Sequence, residues 1–346
     1  GVGAAPRQPG LLHLFSGPSR PDSLAAPFAA RGWRVRELDV LRGGARHDLT
    51  HDSVFTALLE RATAGEWRLL VAGPPCSTFS VARFRSESGD ARPLRRRSCG
   101  GRIDGMTFNE RCRADEADLL VRRTLQLARA VVAAGGDVVI ENPIDRGDEQ
   151  LSDEVRTRSP NGVGVYDEPD HFPLWLVPLV EAYRTDTGSS ALHFPLCAFG
   201  SEFQKWTTIL CTPTAAELMR ADLSRRRCDH GRHESVAVGY GPNGARAPAA
   251  ARYPSELHGF WAAALAGSGG DGGLLAGQPT GYLAGGIPAG GDDAAGGGAV
   301  APQRQHDFDA WLRDWLEAPA LRRAMADSTA VVGQYSLATM LPERRD

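Results

Sequence analysis

The first 150 residues alternate short apolar runs with stretches of helical periodicity, and this alternation constrains the fold more than any other feature of the sequence. It is typical of βαβ units and a parallel sheet. The pattern predicts strands at 11–15, 34–38, 69–72 and 138–140, and helices at 22–30, 52–62 and 116–133. The carboxyl ends of three of these strands lead to Gly17, Cys76 and Glu141. Because open α/β sheets bind ligands at that edge, we expect a site there.

Composition excludes several classes of protein. Of the 346 residues, 42% are hydrophobic and 23% are charged, which is ordinary globular usage and excludes a fibre or a wholly disordered chain. No run approaches 18 apolar residues, and residues 1–10 lack the pattern of a signal peptide. Six scattered cysteines favour reduced thiols over a disulfide scaffold. We therefore expect an intracellular protein without a membrane partner, nuclear if eukaryotic.

The chain is predicted to contain one domain and an extension. Strands at 192–195 and 207–211 and a helix at 254–265 complete a domain over residues 1–266, with a first half, 1–150, and a more divergent second half, 151–266. Residues 267–300 are rich in Gly and Ala and are predicted to be a flexible linker. Within 301–346, an amphipathic helix is expected to dock on its own domain or on a protein partner that the sequence does not identify.

The residues at the predicted sheet edge carry reactive and hydrogen-bonding groups. Cys76 follows a buried strand, so its sulfur faces the ligand edge, although a small buried thiol can also be a packing residue. Glu37 lies 20 residues after Gly17, the spacing at which a carboxylate binds ribose hydroxyls. Asp48 is a second candidate for nucleoside binding. For either acid the alternative is a solvated loop end.

Taken together, five segments resemble the cytosine-5 DNA methyltransferase family in order and spacing. They are Leu14-Phe15-Ser16-Gly17, Arg36-Glu37-Leu38-Asp39, Asp48-Leu49, Pro75-Cys76 and Glu141-Asn142-Pro143. The resemblance implies an α/β fold with a doubly wound, mostly parallel sheet of the S-adenosylmethionine-dependent methyltransferase (Rossmann-like) type. It also implies S-adenosylmethionine as cofactor, and DNA as partner with RNA as an alternative.

The resemblance also implies roles for individual residues. Cys76 would add to ring C6 of a flipped cytosine, Glu141 would act at N3, and Lys205 would be the cation near the base carbonyl. The implied cofactor-binding residues are Phe15, Ser16, Gly17, Glu37, Leu38, Asp48, Leu49 and Pro75. No metal is needed for this chemistry.

The sequence departs from the family at several positions, which indicates a divergent branch. Pro18 follows Gly17 where the family has a Gly-x-Gly turn, Ser77 replaces a Gln, and Pro143 replaces a Val. The late Gly-Asn-Ser-Val segment of the family is not visible. The Cys-Ser, Glu-Asn-Pro, Lys-x-Thr and Tyr-Pro combination is similar to methylase-like domains in polyproteins of mobile elements.

An arginine-rich stretch follows Phe79, where the family has a mobile loop that closes over the target base. We expect its arginines to contact phosphates, which would make binding depend steeply on salt; the alternative is a solvated basic loop. The predicted nucleic-acid-binding residues are Arg83, Arg85, Arg95, Arg96 and Arg97.

A second cluster contains Cys228, His230 and His233 in a Cys-x-His-x-x-His arrangement. With Cys197 or Cys211 as a fourth ligand, it predicts a tetrahedral zinc site. The alternative is a cluster without metal, because this spacing is not that of a standard zinc finger.

Three functions follow as hypotheses. The first is a DNA (cytosine-5)-methyltransferase. The second is a catalytically weak methylase-like domain that binds nucleic acid. The third is an amino-group methyltransferase of DNA or RNA that uses Asn142-Pro143, although the second proline and the aromatic residue of that motif are missing.

Overall fold

The computed structural model describes residues 8–85, 92–151, 168–203, 205–229, 240–241, 244–245 and 251–267. The chain divides into two units, residues 1–278 and 279–346. The second unit lies entirely outside the described residues, as does the predicted extension 301–346 and all but the first residue of the predicted linker.

The strands and helices alternate along the chain. In chain order the strands are β1 Gly10–Leu14, β2 Arg34–Leu38, β3 Leu69–Ala72, β4 Arg95–Arg96, β5 Gly101–Arg102, β6 Asp137–Pro143, β7 Ser190–Pro195, β8 Trp206–Cys211, β9 Tyr240–Gly241 and β10 Gly244–Ala245. The helices are α1 Ala25–Ala29, α2 Val40–Gly43, α3 Asp52–Thr63, α4 Phe108–Ala133, α5 Pro178–Thr187, α6 Pro213–Leu223 and α7 Ser255–Ala266. Among these helices, none combines the length and the apolar character needed to cross a bilayer.

One six-stranded sheet organises the described part of the chain, in the order β2-β1-β3-β6-β8-β7. Strands β2, β1, β3 and β6 are parallel, whereas β8 runs antiparallel to both β6 and β7. Leu14 pairs with Leu38 and Ala72, and Ala72 pairs with Ile140, so the carboxyl ends of the four parallel strands are level. The prediction of an α/β fold with a mostly parallel sheet is confirmed.

Helices cover both faces of the sheet because its strands bury alternate side chains in opposite directions. Leu12, Leu70 and Ile140 belong to the core cluster that also contains α3, α4 and α5 side chains. Their neighbours Leu11 and Val139 belong to a second cluster, which contains side chains from α1, α6 and α7. A parallel sheet buried on both faces requires such continuous apolar strands.

The predicted elements of the first half are largely confirmed, with changes of length that are clearest in β6, which covers Asp137–Pro143 and not only 138–140, and in two helices. The first predicted helix, 22–30, contains an α-helix only over Ala25–Ala29. The fourth helix begins eight residues before the predicted 116, because Thr107 and Glu110 form a capping box at Phe108.

Three helices, α2, α5 and α6, were not predicted. Helix α2 is a single turn, whereas α5 and α6 both begin with a proline in the first turn, Pro178 and Pro213. Proline at that position is a helix start signal, since its fixed φ suits the helix and its missing N–H has no partner to lose.

Candidate active site

The segment after β3 carries the predicted nucleophile. Gly73, Pro74 and Pro75 end the strand, and Cys76 follows with its side chain partly exposed. The side-chain amide of Asn142, which is 1% exposed, donates a hydrogen bond of 2.9 Å to the carbonyl oxygen of Pro74. Asn142 on β6 therefore fixes the segment that leads to Cys76.

Glu141 on β6 is a buried carboxylate that accepts hydrogen bonds from three side chains. Its Oε1 accepts from Thr207 Oγ1 at 2.5 Å and from Lys205 Nζ at 3.4 Å. Its Oε2 accepts from the Tyr253 hydroxyl. The carboxylate is only 4% exposed, and donors of this kind are what a buried carboxylate needs to stay in the protein interior.

The direction of β8 explains why Lys205 and Thr207 reach Glu141. Since β8 is antiparallel to β6, Thr207 at its beginning pairs with Pro143 at the end of β6. A parallel strand would have its beginning at the opposite edge of the sheet.

Cys76, Glu141 and Lys205 lie close enough to influence one another electrostatically. Burial raises the pKa of the Cys76 thiol, the Lys205 ammonium lowers it, and the Glu141 carboxylate raises it, with a net upward shift. The thiol is therefore protonated at neutral pH in this state of the site. The structure brings together all three residues predicted to be catalytic.

Tyr253 completes this group of side chains. Burial and the neighbouring Glu141 carboxylate raise its pKa well above the ordinary value of 10.0, so the phenol remains protonated and donates. The hydroxyl lies against Gly73, where an added Cβ would be 2.6 Å from the phenol oxygen. Glycine at 73 is thus required by the close approach of Tyr253.

The turn after β1 has an unusual backbone. Phe15 adopts a φ of +60°, a conformation uncommon for residues other than glycine, and Gly17 adopts +73°. The Gly17 N–H donates to Asp39 Oδ2 at 2.9 Å, and the Ser16 N–H donates to the Leu38 carbonyl oxygen at 3.2 Å. The ends of β1 and β2 are therefore joined by the residues predicted to bind the cofactor.

Glu37 lies beside this turn and pairs with two cationic or potentially cationic groups. Its Oε2 accepts from the Arg42 guanidinium, and its Oε1 is 3.5 Å from His13 Nδ1. Burial raises the pKa of Glu37, but hydrogen bonds and charge from His13 and Arg42 outweigh burial and lower it to about 2. Glu37 is thus ionised, as a carboxylate that accepts ribose hydroxyls must be.

One buried oxygen tests whether this turn fits a polar cofactor. Within the described residues, Ser16 Oγ has no hydrogen-bond partner, whereas Glu37 Oε1 faces His13 Nδ1. Buried polar atoms are nearly always hydrogen-bonded, so the Ser16 hydroxyl fits a ligand with a polar group at this turn. Asp48 fits less well, because its Oδ1 already accepts from the backbone and the hydroxyl of Thr50.

The remaining predicted cofactor residues lie around the same edge. Leu38 and Leu49 are buried in the cluster that contains α3 and α4 side chains, and Pro75 is exposed. The structure therefore places the predicted cofactor residues along the ends of β1, β2 and β3.

The predicted phosphate-binding arginines are mostly engaged in ion pairs within the protein. Arg95 is 5% exposed and donates to Asp118 at 2.6 Å, which leaves it no surface for a phosphate. Arg96 pairs with Asp170, and Arg97 pairs with Asp145. These ion pairs hold the β4–β5 hairpin in place. The prediction that these arginines bind phosphate did not include their acidic partners within the protein.

Arg83 differs from these three. Its guanidinium donates to the carbonyl oxygens of Ser77 and Arg92, which do not neutralise its charge. The side chain of Arg85 lies outside the described part of the structure. Of the four predicted arginines whose side chains the structure describes, Arg83 thus remains the best placed to meet a phosphate.

The predicted zinc ligands fall only partly within the described residues. Cys228 is buried and in hydrogen-bonding contact with Cys197, and burial and this contact raise the pKa of the Cys197 thiol. His230 and His233 lie outside the described residues. Among the side chains that are described, no three metal-ligating groups cluster. Of the two proposed fourth ligands, the contact favours Cys197 over Cys211.

Sequence reasoning missed several residues of the site. Thr207 was not predicted as a partner of Glu141, and Tyr253 was noted only as part of a Tyr-Pro pair. His171 was not noted at all; its ring bridges the Phe79 carbonyl oxygen, at 2.7 Å, and the Arg146 N–H, at 3.1 Å. No local pattern marks these contacts, which join residues far apart in the sequence.

Comparison with known proteins adds no family assignment. No protein-family model matches the chain, and a search of the curated proteins finds no match. The class that the fold and site define is therefore an α/β protein with a thiol–carboxylate–ammonium group at the carboxyl edge of its sheet.

Proposed function

We propose that the chain is a DNA (cytosine-5)-methyltransferase that uses S-adenosylmethionine. The observation that carries this proposal is the convergence of the Cys76 thiol, the Glu141 carboxylate and the Lys205 ammonium at one edge of the sheet. Cytosine C5 is a poor nucleophile, and these three groups are those that its activation requires. The sheet, with β8 antiparallel between β6 and β7, is compatible with the methyltransferase type of doubly wound fold.

The first step is addition of Cys76 to ring C6. The thiol releases its proton to solvent, and its sulfur forms a bond to C6. The electron pair of the C5–C6 double bond then moves to the C4–C5 bond, and negative charge develops at N3. Burial is the main cause of the raised pKa of the thiol; the Lys205 ammonium opposes it and the Glu141 carboxylate adds to it, so Lys205 is the group here that favours the thiolate.

The negative charge that develops on the base is stabilised by the other two residues. Glu141, once it has taken up a proton, donates it at N3, and Lys205 lies beside the carboxylate as the cation for the base carbonyl. When C5 gains the methyl group, the double bond between C4 and N3 is restored and the N3 proton returns to Glu141. The C5 proton is then lost to water. The electron pair of that C–H bond restores the C5–C6 double bond, and Cys76 leaves as a thiolate.

The cofactor's contribution is the electrophilic methyl group, and the turn after β1 would hold it. Ser16 presents a buried hydroxyl that has no partner in the described residues, and the left-handed turn at Phe15 and Gly17 gives the ligand access to the backbone. Glu37 remains ionised over the physiological range, because its pKa is lowered to about 2.

The geometry supports this function over amino-group methylation. In an Asn-Pro motif that acts on an amino group, the asparagine must face the substrate. Here the Asn142 amide is buried and donates to Pro74. A domain that only bound nucleic acid would have no need for a buried carboxylate with three donors beside a thiol.

The decisive experiment uses DNA that contains 5-fluorocytosine. Fluorine cannot leave as a proton does, so wild-type protein with S-adenosylmethionine should remain covalently bound to the strand on a denaturing gel. Cys76→Ala should lose both this adduct and 5-methylcytosine formation on ordinary DNA. Cys112→Ala, which removes an exposed thiol on α4, is the matched control and should retain both.

The same assay separates the alternatives. N-methylated nucleosides that persist in Cys76→Ala would establish amino-group methylation. Binding of DNA without any methylated nucleoside or adduct, across varied cytosine contexts, would establish the binding-only function. Either result would overturn the proposal.

A further inference from the structure

Tyr253 is held between α7 and the segment that follows the turn after β1. Its ring packs edge-on against Trp261, with centroids 5.6 Å apart, and against His258 at 6.1 Å. Its backbone carbonyl accepts a hydrogen bond from Arg20, at 3.1 Å. With the ring and the backbone both fixed, the position of the phenol hydroxyl is determined by the fold.

The hydroxyl donates to the one Glu141 oxygen that has no other donor in the described part of the chain. Oε1 is shared by Thr207 and Lys205, whereas Oε2 accepts from Tyr253. The two donors on Oε1 restrain only one of the two carboxylate oxygens. A third donor on Oε2 fixes the plane of the carboxyl group.

The close approach of Tyr253 to the end of β3 argues that this contact is specific. An added Cβ at Gly73 would lie 2.6 Å from the phenol oxygen and 3.5 Å from Glu141 Oε2. Lys205 Nζ is 5.9 Å from the centroid of the Tyr253 ring, so the phenol also borders the cation. Tyr253 thus contacts or adjoins Glu141, Lys205 and the segment that leads to Cys76.

We propose that Tyr253 is a positioning residue that holds the Glu141 carboxylate in the plane where the target base must present N3, a role that rests on the function proposed above. The phenol does not itself transfer a proton, because burial and Glu141 keep it protonated. It acts through Glu141, by fixing the orientation of the carboxyl group.

The alternative is that Tyr253 only anchors α7. Tyr253→Phe separates the two roles, because phenylalanine keeps the ring that packs on Trp261 and His258 and removes only the donor. Tyr183→Phe is the matched control, since Tyr183 is also a buried tyrosine but lies in the core between α4 and α5.

The experiment measures the titration of the Glu141 side chain by carbon-13 NMR in the full chain, with the signal assigned by Glu141→Gln. In Tyr253→Phe the midpoint should move upward by about 1 pH unit, the usual consequence of removing a hydrogen bond to a charged group. Tyr183→Phe should leave it unchanged. Gly73→Ala, which displaces the hydroxyl without altering Tyr253, provides a second variant and should shift the midpoint in the same direction. An unchanged midpoint in folded Tyr253→Phe overturns the proposal.

Kinetics distinguish failure of this proposal from failure of the proposed function. If wild-type protein forms 5-methylcytosine, Tyr253→Phe should lower kcat about tenfold with little change in the KM for DNA, and its pH–rate profile should move to higher pH. A rise in KM alone would assign Tyr253 to anchoring. If wild-type protein forms no product, the function fails, while the NMR titration still decides whether Tyr253 controls Glu141.

Discussion

At the scale of single residues, the site depends on a few close approaches that tolerate no added atom. Glu141 accepts hydrogen bonds from Thr207 on β8 and from Tyr253, two residues before α7. Gly73 leaves room for the Tyr253 hydroxyl. Such a polar cluster is stable only when each member keeps its partner. Small substitutions here should therefore have larger effects than the same changes elsewhere.

Gly73→Ala tests this at the closest approach. The added methyl group overlaps the Tyr253 hydroxyl, and relief requires movement of the phenol or of β3, which should lower the free energy of unfolding by about 1 to 3 kcal/mol. Urea denaturation measures this change. Gly259→Ala is the control: it lies within α7 with no atom near its Cβ position, and it should stabilise the protein by about 0.5 to 1 kcal/mol. Equal effects of the two substitutions would contradict the predicted overlap.

Glu37 makes the stability of the fold depend on pH. Its pKa is lowered from 4.5 to about 2, so below about pH 4.5 the unfolded chain binds a proton that the folded chain does not. The stabilisation is fully present above pH 4.5 and is lost as pH falls from there toward 2. Arg42→Met removes one partner and should reduce this loss.

The measurement is the urea midpoint of wild-type protein and Arg42→Met at several pH values from 6 down to about 3. The difference between the two proteins should shrink as pH falls. Arg36→Met is the control. Arg36 lies next to Glu37 on β2 but points to the opposite face of the sheet, so the difference between this variant and wild-type protein should not change with pH. A constant difference for Arg42→Met would remove Glu37 from the acid response.

At the scale of secondary-structure elements, the β4–β5 hairpin is tied to its neighbours by ion pairs. Arg95 and Arg102 both pair with Asp118 on α4, while Arg96 pairs with Asp170. The Arg95 guanidinium also lies over the ring of Phe79, 4.2 Å from its centroid. The hairpin therefore positions the segment that follows Cys76.

These pairs should differ in their contribution to stability. Arg95→Met removes a buried hydrogen bond to a charged group and should cost about 2 kcal/mol of unfolding free energy. Arg96→Met breaks a pair whose arginine is 40% exposed, and should cost less than about 1 kcal/mol. Chemical denaturation of the two variants decides, and a larger loss in Arg96→Met would refute the assignment.

Binding to DNA should separate Arg83 from Arg95. If Arg83 meets a phosphate, Arg83→Gln should lower the slope of log affinity against log salt by roughly 1. Arg95→Met, measured below its unfolding transition, should leave the slope unchanged because its guanidinium is buried. Fluorescence anisotropy over a range of salt concentrations provides the comparison, and the reverse pattern would return Arg95 to the nucleic-acid interface.

Sequence patterns could predict those elements whose signal is local. Strands β2 and β3 occupy the predicted residues; an apolar run that ends at Gly73 marks β3, and alternating polar and apolar residues mark β2. The edge that holds Cys76 and Glu141 followed from β3 and from the strand predicted at 138–140. Helix α5 was missed because prolines interrupt the apolar residues of 172–180.

The rest of the site depends on pairing that a single sequence does not encode locally. Lys205 could be predicted only from the family resemblance, and Thr207 and Tyr253 required the antiparallel placement of β8 and the docking of α7. The arginine-rich stretch was read as a surface because charge alone does not reveal its partners, Asp118, Asp145 and Asp170, which lie in distant segments.

At the scale of the whole molecule, the described residues form one sheet with its site at a single edge, and the metal prediction concerns the outer end of the same edge, because β7 is parallel to β6 and Cys197 follows its carboxyl end. Cys197 follows β7, Cys228 follows α6, and their two thiols are in contact. Arg226 donates to the carbonyl oxygen of Ala198, next to Cys197, at 3.0 Å. This contact supplies two thiols of the kind that zinc binds.

Metal analysis of untagged protein should find about one zinc per chain if the predicted site exists. Cys228→Ser and His233→Ala should each lose it, whereas Cys211→Ser should retain it, because Cys211 is buried in β8 and apart from this contact. Removal of zinc by a chelator should then lower the thermal unfolding temperature of wild-type protein. Zinc-free wild-type protein would exclude the site.

The contact between Tyr253 and Glu141 joins residues 112 positions apart in the sequence. During translation, Glu141 is therefore made well before the tyrosine that it contacts. At ribosomal speeds of about 5 to 20 residues per second, Glu141 is synthesised about 6 to 22 s before its phenol partner. The four parallel strands are complete once Pro143 has been added, so the nascent chain can assemble most of its sheet while the Glu141 carboxylate still lacks all three donors. If the chain acts as proposed, a chain still attached to the ribosome at that stage would have no competent centre. Nucleic acid in its surroundings, including the message being read, would then escape modification until the last helix has folded against the sheet.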